Sequence, residues 1–223
     1  MRSLHLCAAV AVVLSIPAQA REVGDLSIQV GAANADPDVS STELQLSGSA
    51  VAGSSANVHS DTQMGITLRY MWKESIGLEV LASTPFSHDI TAATGELGLG
   101  RVPAGDTRHL PPTFSALWFP AAASSNFQPY LGLGLNYTKF FSESVSPALE
   151  GVLGEGSLSL DDSFGLSFSA GFDYNLTSNL GINVAVRKID IDTSAVFSFT
   201  GAELATEVEI DPVVYMAGLS YRF

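Results

Sequence analysis

The sequence is short of charge. Asp, Glu, Lys and Arg make up 15% of its 223 residues, while 46% are hydrophobic. A soluble domain usually carries about a quarter charged residues, so the missing charge must be missing from a surface, and a lipid-facing surface is the natural candidate. Positive charge is scarcest: 10 Lys and Arg stand against 23 Asp and Glu, a formal net charge of −13. That balance excludes the basic patches nucleic-acid recognition requires. The single cysteine, Cys7, sits in an N-terminal segment with a short basic start (Met1-Arg2-Ser3), an apolar stretch from Leu4 to Ile16, and Ala18-Gln19-Ala20 as a small-x-small cleavage site. Residues 1–20 therefore read as a secretory signal peptide, with Arg21 as the mature N-terminus; the apolar stretch is well below the roughly 20 residues of a spanning helix. Cleavage removes Cys7, which excludes a disulfide, and removes Arg2, which takes the net charge from −13 to −14. After residue 20 there is no apolar run of about 18 residues, which excludes a transmembrane helix. An exported chain with little charge and no helical span leaves residues 21–223 as one transmembrane β-barrel domain.

Alternation is what the sequence has in quantity. From Val213 to Phe223, the residues Val213, Tyr215, Ala217, Leu219, Tyr221 and Phe223 alternate with Val214, Met216, Gly218, Ser220 and Arg222. A period of 2 gives a strand two unlike faces. A terminal edge strand this apolar on one face aggregates in water; it is stable when it pairs with the first strand and turns that face to lipid. Between Ser163 and Tyr174 the same pattern sets Phe164, Leu166, Phe168 and Phe172 against serines and glycines. Eight such blocks are expected, at residues 24–35, 58–71, 76–88, 110–119, 128–140, 160–175, 180–197 and 208–223. The connections alternate as well. Those at 72–75, 120–127 and 176–179 are short; those at 36–57, 89–109, 141–159 and 198–207 are long and rich in Gly, Ser, Ala and Asp, as suits solvated, mobile loops. Short periplasmic turns and long outer loops mark an eight-stranded antiparallel outer-membrane barrel with both termini in the periplasm.

Aromatic residues fall in two groups. Tyr70, Trp72, Trp118, Phe119, Phe127, Tyr174, Tyr221 and Phe223 lie near the short turns, and Phe86, Tyr137, Phe140, Phe141, Phe164, Phe197 and Phe199 near the long loops. Both groups are expected to be interfacial belts. One irregularity concerns Val208 and Ile210, whose parity opposes that of Val213 and Tyr215. Either a bulge at Asp211-Pro212 reconciles them or the upper lumen is apolar. On the inward parity, Arg69 and Glu79 face each other across the first short turn, and Asp173, Arg187 and Arg222 point the same way. The lower lumen is therefore either a charged plug, since side chains can fill so small a barrel, or a selective pore.

Several stretches resemble the OmpW family of small outer-membrane barrels (OmpW/AlkL type): DTQMGIT at Asp61 to Thr67, IGLEVLASTPF at Ile76 to Phe86, HLPPT at His109 to Thr113, PYLGLGLNYT at Pro129 to Thr138, DIDT at Asp190 to Thr193, and the closing strand. They span nearly the whole chain after residue 20, in order. The resemblance implies a narrow, largely apolar lumen, passage of small hydrophobic molecules with sideways release through the wall, and weak channel activity. In that family a leucine of the third strand and a tryptophan of the seventh narrow the lumen. The leucine falls on Leu81, but Arg187 stands at the tryptophan position, which makes the pocket less apolar. The expected solute path is thus Leu81, Arg187, Arg69, Glu79 and Met216, and Pro111-Pro112 is the expected lateral seam, since proline cannot donate to a ladder.

Little else carries chemistry. His59, His88 and His109 are isolated in sequence, and a metal site needs converging ligands, so no metal and no cofactor is expected. Asp36, Asp38, Asp161, Asp162, Asp190, Asp192 and Asp211 fall near the outer rim, where oxygen ligands suit divalent cations bridging to lipopolysaccharide, or where they are simply solvated. His109 with Thr113 and Ser115 is a faint hydrolytic arrangement, and an enzyme is not expected. The expected partners are membrane lipids, lipopolysaccharide, small apolar solutes, and the barrel-assembly machinery through the strand ending at Phe223. The competing reading is a sealed structural or receptor barrel that presents its loops to lipopolysaccharide or outside proteins.

Overall fold

The structure, a computed structural model, describes residues 20–223; the signal peptide expected over residues 1–20 lies, Ala20 apart, outside the described residues. Eight long strands form the barrel: β1 (Leu26–Asp36), β2 (Asp61–Lys73), β3 (Ile76–Ser83), β4 (Thr113–Trp118), β5 (Phe127–Val145), β6 (Ser163–Asn175), β7 (Leu180–Ile189) and β8 (Val213–Arg222). Each pairs antiparallel with its neighbour in sequence, and β1 pairs with β8 from Ser27 opposite Arg222 to Asp36 opposite Val213. Closure leaves no edge, so the ladder supplies hydrogen bonds that lipid cannot. Every strand turns an apolar side chain outward to exposure: Val30, Met64, Leu78, Phe114, Leu133, Phe168, Val184 and Leu219, one from each. A continuous apolar girdle of this kind belongs in a bilayer. Among the described residues no helix is long and apolar enough to cross a membrane.

Closure rests on two glycines in register. Gly31 of β1 lies opposite Gly218 of β8, and a Cβ on Gly31 would sit 2.1 Å from the Ala217 carbonyl oxygen. Gly65 of β2 leaves room on the inner face for Met216, whose sulfur would lie 3.1 Å from an added Cβ.

The long connections depart from the expected mobile loops, because they carry regular structure of their own. Strands Ser54–Val58, Phe86–Thr94 and Arg101–Leu110 continue the wall above β5, where Lys139 lies opposite Leu110. A second sheet contains Gly156–Leu160, Asp192–Phe199 and Ala202–Glu209, with short strands of the first long connection on its edge. A short helix, α1 (Pro147–Leu153), starts at Ser146, whose hydroxyl accepts from the Leu149 N–H at 3.2 Å. Alternating apolar residues continue through these segments, so they bury a core instead of remaining solvated.

This cap explains two further departures. The lower aromatic belt is exposed as expected, except that Phe119 is buried inside the barrel. Of the upper group only Tyr137 and Phe164 are strongly exposed; Phe86, Phe140, Phe197 and Phe199 are buried, so most of it is cap core and not an interfacial belt. Of the two explanations of the parity irregularity, a bulge at Asp211-Pro212 or an apolar upper lumen, the second holds. Val208, Ile210, Val214 and Met216 are all buried on one inner face. The strand instead breaks at Asp211, which has a left-handed φ of 41°, and the upper lumen is apolar.

Candidate functional site: an apolar chamber above a charged plug

The barrel interior has two storeys. The lower one is polar and crossed by buried ion pairs, with a cavity of about 40 Å³ left between Arg21, Gln29, Arg69, Gln128 and Asp173. Arg69 Nη2 donates to Glu79 Oε2 at 2.8 Å, Arg187 Nη2 donates to Glu79 Oε1 at 2.8 Å, and Arg69 Nη1 pairs with Asp173. These four residues come from β2, β3, β6 and β7, and the register places Arg69 opposite Glu79. The Gln29 amide, turned to satisfy both its ends, accepts from Arg69 at 2.9 Å and donates to Asn183 at 3.1 Å. Asn183 also donates to Asp173 Oδ1 at 2.8 Å and to the Tyr130 hydroxyl at 3.0 Å. The Arg69 guanidinium lies 4.7 Å above the Tyr130 ring. Below this, Arg21 closes the periplasmic mouth: its Nε donates to the Glu74 carbonyl at 2.8 Å, its Nη1 donates to Gln128, and its guanidinium stacks 4.4 Å from Phe119. Buried charges persist only when paired and hydrogen-bonded, and here nearly every group is. Arg187 Nη1 is the exception, buried without a hydrogen-bond partner among the described residues.

The upper storey is apolar. One inward position above Glu79 stands Leu81, and one above Arg187 stands Ile189; with Val214 and Met216 they form the chamber floor, part of one buried cluster that continues through Phe86, Phe140, Ile191, Ala195, Val208 and Ile210. Leu81 is 5% exposed and Met216 2%. Above the floor is a cavity of about 40 Å³, walled among others by Ala35, Ile90, Phe140, Ile191, Val208 and Ile210. A second apolar cavity of about 130 Å³ lies nearer the loop tips, between Leu44, Leu46, Leu97, Leu99, Leu149 and Leu204. Leu44, Ala92, Ala104 and Phe197 border both, so apolar surface runs from the outer tip to the floor.

The sequence-predicted residues therefore divide between the storeys. Arg69, Glu79 and Arg187 meet in one network, Leu81 and Met216 lie in the apolar cluster above it, and Arg222 sits lower, donating through Nη2 to Asn175 Oδ1 at 3.3 Å. Pro111 and Pro112 are in the wall. The β3–β4 ladder ends with Leu81 opposite Thr113 and pairing resumes only at Phe86 opposite His109, so residues 82–85 face 110–112 without ladder pairs. The other sides are tied: Tyr137 N–H donates to the Pro112 carbonyl at 3.1 Å, and Thr84 N–H to the Met64 carbonyl at 2.9 Å. Sequence reasoning missed Gln29, Thr67, Asn183 and Tyr130; inward parity combined with a polar side chain is the signal that finds them.

The histidines are not all isolated. His88 and His109, both buried, face each other across the hairpin of the cap, with Nε2 atoms 2.8 Å apart and rings stacked at 4.9 Å. Phe86 stacks on His109 at 5.4 Å. Ser87 and Arg108 on the same two strands point outward and are exposed, so this level lies above the lipid girdle. Burial lowers both histidines, His109 to about 3, with the His88 neighbour a second cause. Thr113, proposed beside His109 in a hydrolytic arrangement, spends its hydroxyl on the Pro111 carbonyl at 3.1 Å. At the rim Asp190, Asp192 and Asp211 bring ligand oxygens within 4.8 Å of one another; partial burial and the two neighbouring carboxylates raise the Asp192 carboxyl.

A closed eight-stranded barrel with an outward apolar girdle, a polar ion-paired base and a long-loop cap defines a class, the small outer-membrane β-barrel proteins. Residues 22–223 match the OmpW family, and the chain belongs to that family. It is 42% identical over 217 residues to outer membrane protein W of Vibrio cholerae, covering 97% of this chain and 96% of that one. The crystal structure of the outer membrane protein OprG from Pseudomonas aeruginosa superposes with a TM-score of 0.85 at 39% identity, covering 94% of this chain and 99% of that one. The solid-state NMR structure of outer membrane protein AlkL in lipid bilayers shares the fold at a TM-score of 0.66 and 19% identity, covering 100% of this chain and 97% of that one. The relatives named outer membrane protein W come from Gram-negative bacteria, and this chain is an outer-membrane barrel in contact with membrane lipid.

Proposed function

We propose that the barrel takes small apolar solutes from the outside into its upper chamber and releases them sideways into the membrane, not straight through to the periplasm. The observation that carries this reading is the stacking of an apolar chamber on a base crossed by buried ion pairs. An apolar molecule gains by entering such a chamber and cannot cross buried ion pairs without breaking them. The interrupted ladder at Pro111-Pro112 sits at the level of Leu81, the chamber floor, and is the proposed exit. Leu81 and Met216 are then the apolar layer a solute crosses between the chamber and the seam, and Arg69, Glu79 and Arg187 the barrier beneath it. The outward strand ending at Phe223 is the surface we assign to the barrel-assembly machinery, and the cap rim the surface nearest lipopolysaccharide.

The test is uptake of a medium-chain alkane by cells with equal amounts of folded protein. Ala195→Trp, which fills the chamber, should slow uptake several-fold. Pro111→Ala with Pro112→Ala, which gives this stretch back its backbone N–H groups, should slow it as well. Arg187→Trp, below the floor, should alter it less than either. Uptake unchanged by the wild type over a barrel-free strain would remove the transport reading and leave a sealed barrel that presents its cap to outside partners.

A further inference from the structure

The chamber wall is apolar apart from His88, His109, Thr107, Thr193 and Thr206, and among these His109 has an unmet hydrogen-bond demand. His88 Nδ1 lies 2.5 Å from the carbonyl oxygen of His59. A carbonyl only accepts, so that nitrogen carries the proton. The neutral ring has a single N–H, so His88 Nε2 is a bare lone pair. It faces His109 Nε2 at 2.8 Å, which must then be the donor. Donation from Nε2 fixes the other tautomer position: His109 Nδ1 is a lone pair. It is buried and has no hydrogen-bond partner among the described residues. His109 belongs to the wall of the 40 Å³ cavity. Both rings remain neutral near pH 7, because burial lowers their pKa. A buried acceptor left unpaired costs free energy that a bound donor restores.

We infer that the chamber selects apolar molecules carrying one hydrogen-bond donor, such as an aliphatic alcohol, whose hydroxyl donates to His109 Nδ1. The selection rests on the chamber being a solute site, and it goes further by naming the class of solute. Hydrocarbons leave the lone pair unpaired. Ethers and ketones present a second lone pair to it and are disfavoured. His88 and the His59 carbonyl act as positioning groups that hold the tautomer; His109 makes the contact. The stacked Phe86 and the tilted Phe140, 5.6 Å away, keep the ring in plane with that demand.

Three probes of equal heavy-atom count separate the possibilities: 1-hexanol, 1-methoxypentane and heptane. Each is titrated into the full-length folded protein in lipid nanodiscs, with empty nanodiscs as the partition control, and the imidazole nitrogens are followed by NMR. The expected result is about tenfold tighter binding of 1-hexanol than of 1-methoxypentane, the size of one hydrogen bond, with the His109 Nδ1 resonance moving only for the alcohol. His109→Phe keeps the aromatic stack and should bring all three within about twofold. His88→Phe frees the His109 tautomer to donate, so binding of the ether should rise. Equal affinity for the three probes in the wild type overturns the selection while leaving the chamber reading intact, as does an alcohol preference that survives His109→Phe. Binding of none of the three overturns both.

Discussion

Glu79 accepts from two guanidinium groups at once, with a side chain 1% exposed. Its two cationic partners are not equally placed. Arg69 also has Asp173, while Arg187 has only Glu79 as its ion-pair partner among the described residues. Glu79→Ala should therefore leave Arg187 as a buried unpaired cation and cost about 3–5 kcal/mol, the usual loss on breaking a buried pair. Arg187→Met removes the cation itself, leaves Glu79 with Arg69, and should cost less than about 1.5 kcal/mol. The double variant should lie above the sum of the singles in stability. Urea unfolding of the barrel in lipid vesicles reads all three. At this scale the sequence carried a good deal: parity alone pointed Arg69, Glu79, Asp173 and Arg187 inward. It did not carry the partner of Arg187, because Glu79 is 108 residues away and only barrel closure brings the two together.

The hairpin formed by Phe86–Thr94 and Arg101–Leu110 is the element whose stability should follow pH. His88 and His109 pair across it, and burial holds their pKa below the ordinary value of 6.5, His109 at about 3. The unfolded hairpin binds protons that the folded one refuses, so its stability is complete above about pH 6.5 and falls as pH drops toward 3. Asp61 and Asp89 face His88 and favour its charged form, and they moderate the loss without reversing it. Amide hydrogen exchange should show this hairpin opening more readily at pH 4.5 than at pH 7.5, with the barrel strands unchanged. The period-2 pattern gave each strand its faces but not the height at which lipid ends. Above that height the same alternation buries aromatics inside a cap. For this reason Phe140 and Phe197 leave the expected belt for the cap core, and of the two explanations of the Val208 and Ile210 parity the apolar upper lumen holds and the bulge does not. The histidine pair was illegible for another reason: His88 and His109 lie in different strands, and their meeting depends on the hairpin register.

Taken as one object, the barrel carries an apolar chamber above and buried ion pairs below. Arg21, Phe119 and Gln128 occupy the periplasmic mouth, and the ion-pair network fills the level over it. Planar-bilayer recordings of the wild type should show conductance close to background. The combined variant Arg69→Ala, Glu79→Ala, Arg187→Ala removes three large side chains from the base and should raise it well above that level if it remains folded. The alternation of short and long connections, the low charge and the outward apolar parity made the architecture readable from the chain alone. The two-storey interior was readable only as alternatives, a charged plug or a selective pore below and a bulge or an apolar lumen above, because the choice depends on which inward residues share a height, and height is set by strand stagger around a closed wall.

That the base draws its four charges from β2, β3, β6 and β7 also bears on how the molecule is made. β2 and β3 are neighbours, and so are β6 and β7, but the two pairs stand on opposite sides of the barrel. A sheet inserted flat would carry Arg187 and Asp173 at one end and Arg69 and Glu79 at the other, with the salt bridges between the two sides unmade. Charge left unmatched in hydrocarbon is expensive. Curling the sheet therefore completes a neutralisation that the Arg69–Glu79 pair begins within the β2–β3 hairpin.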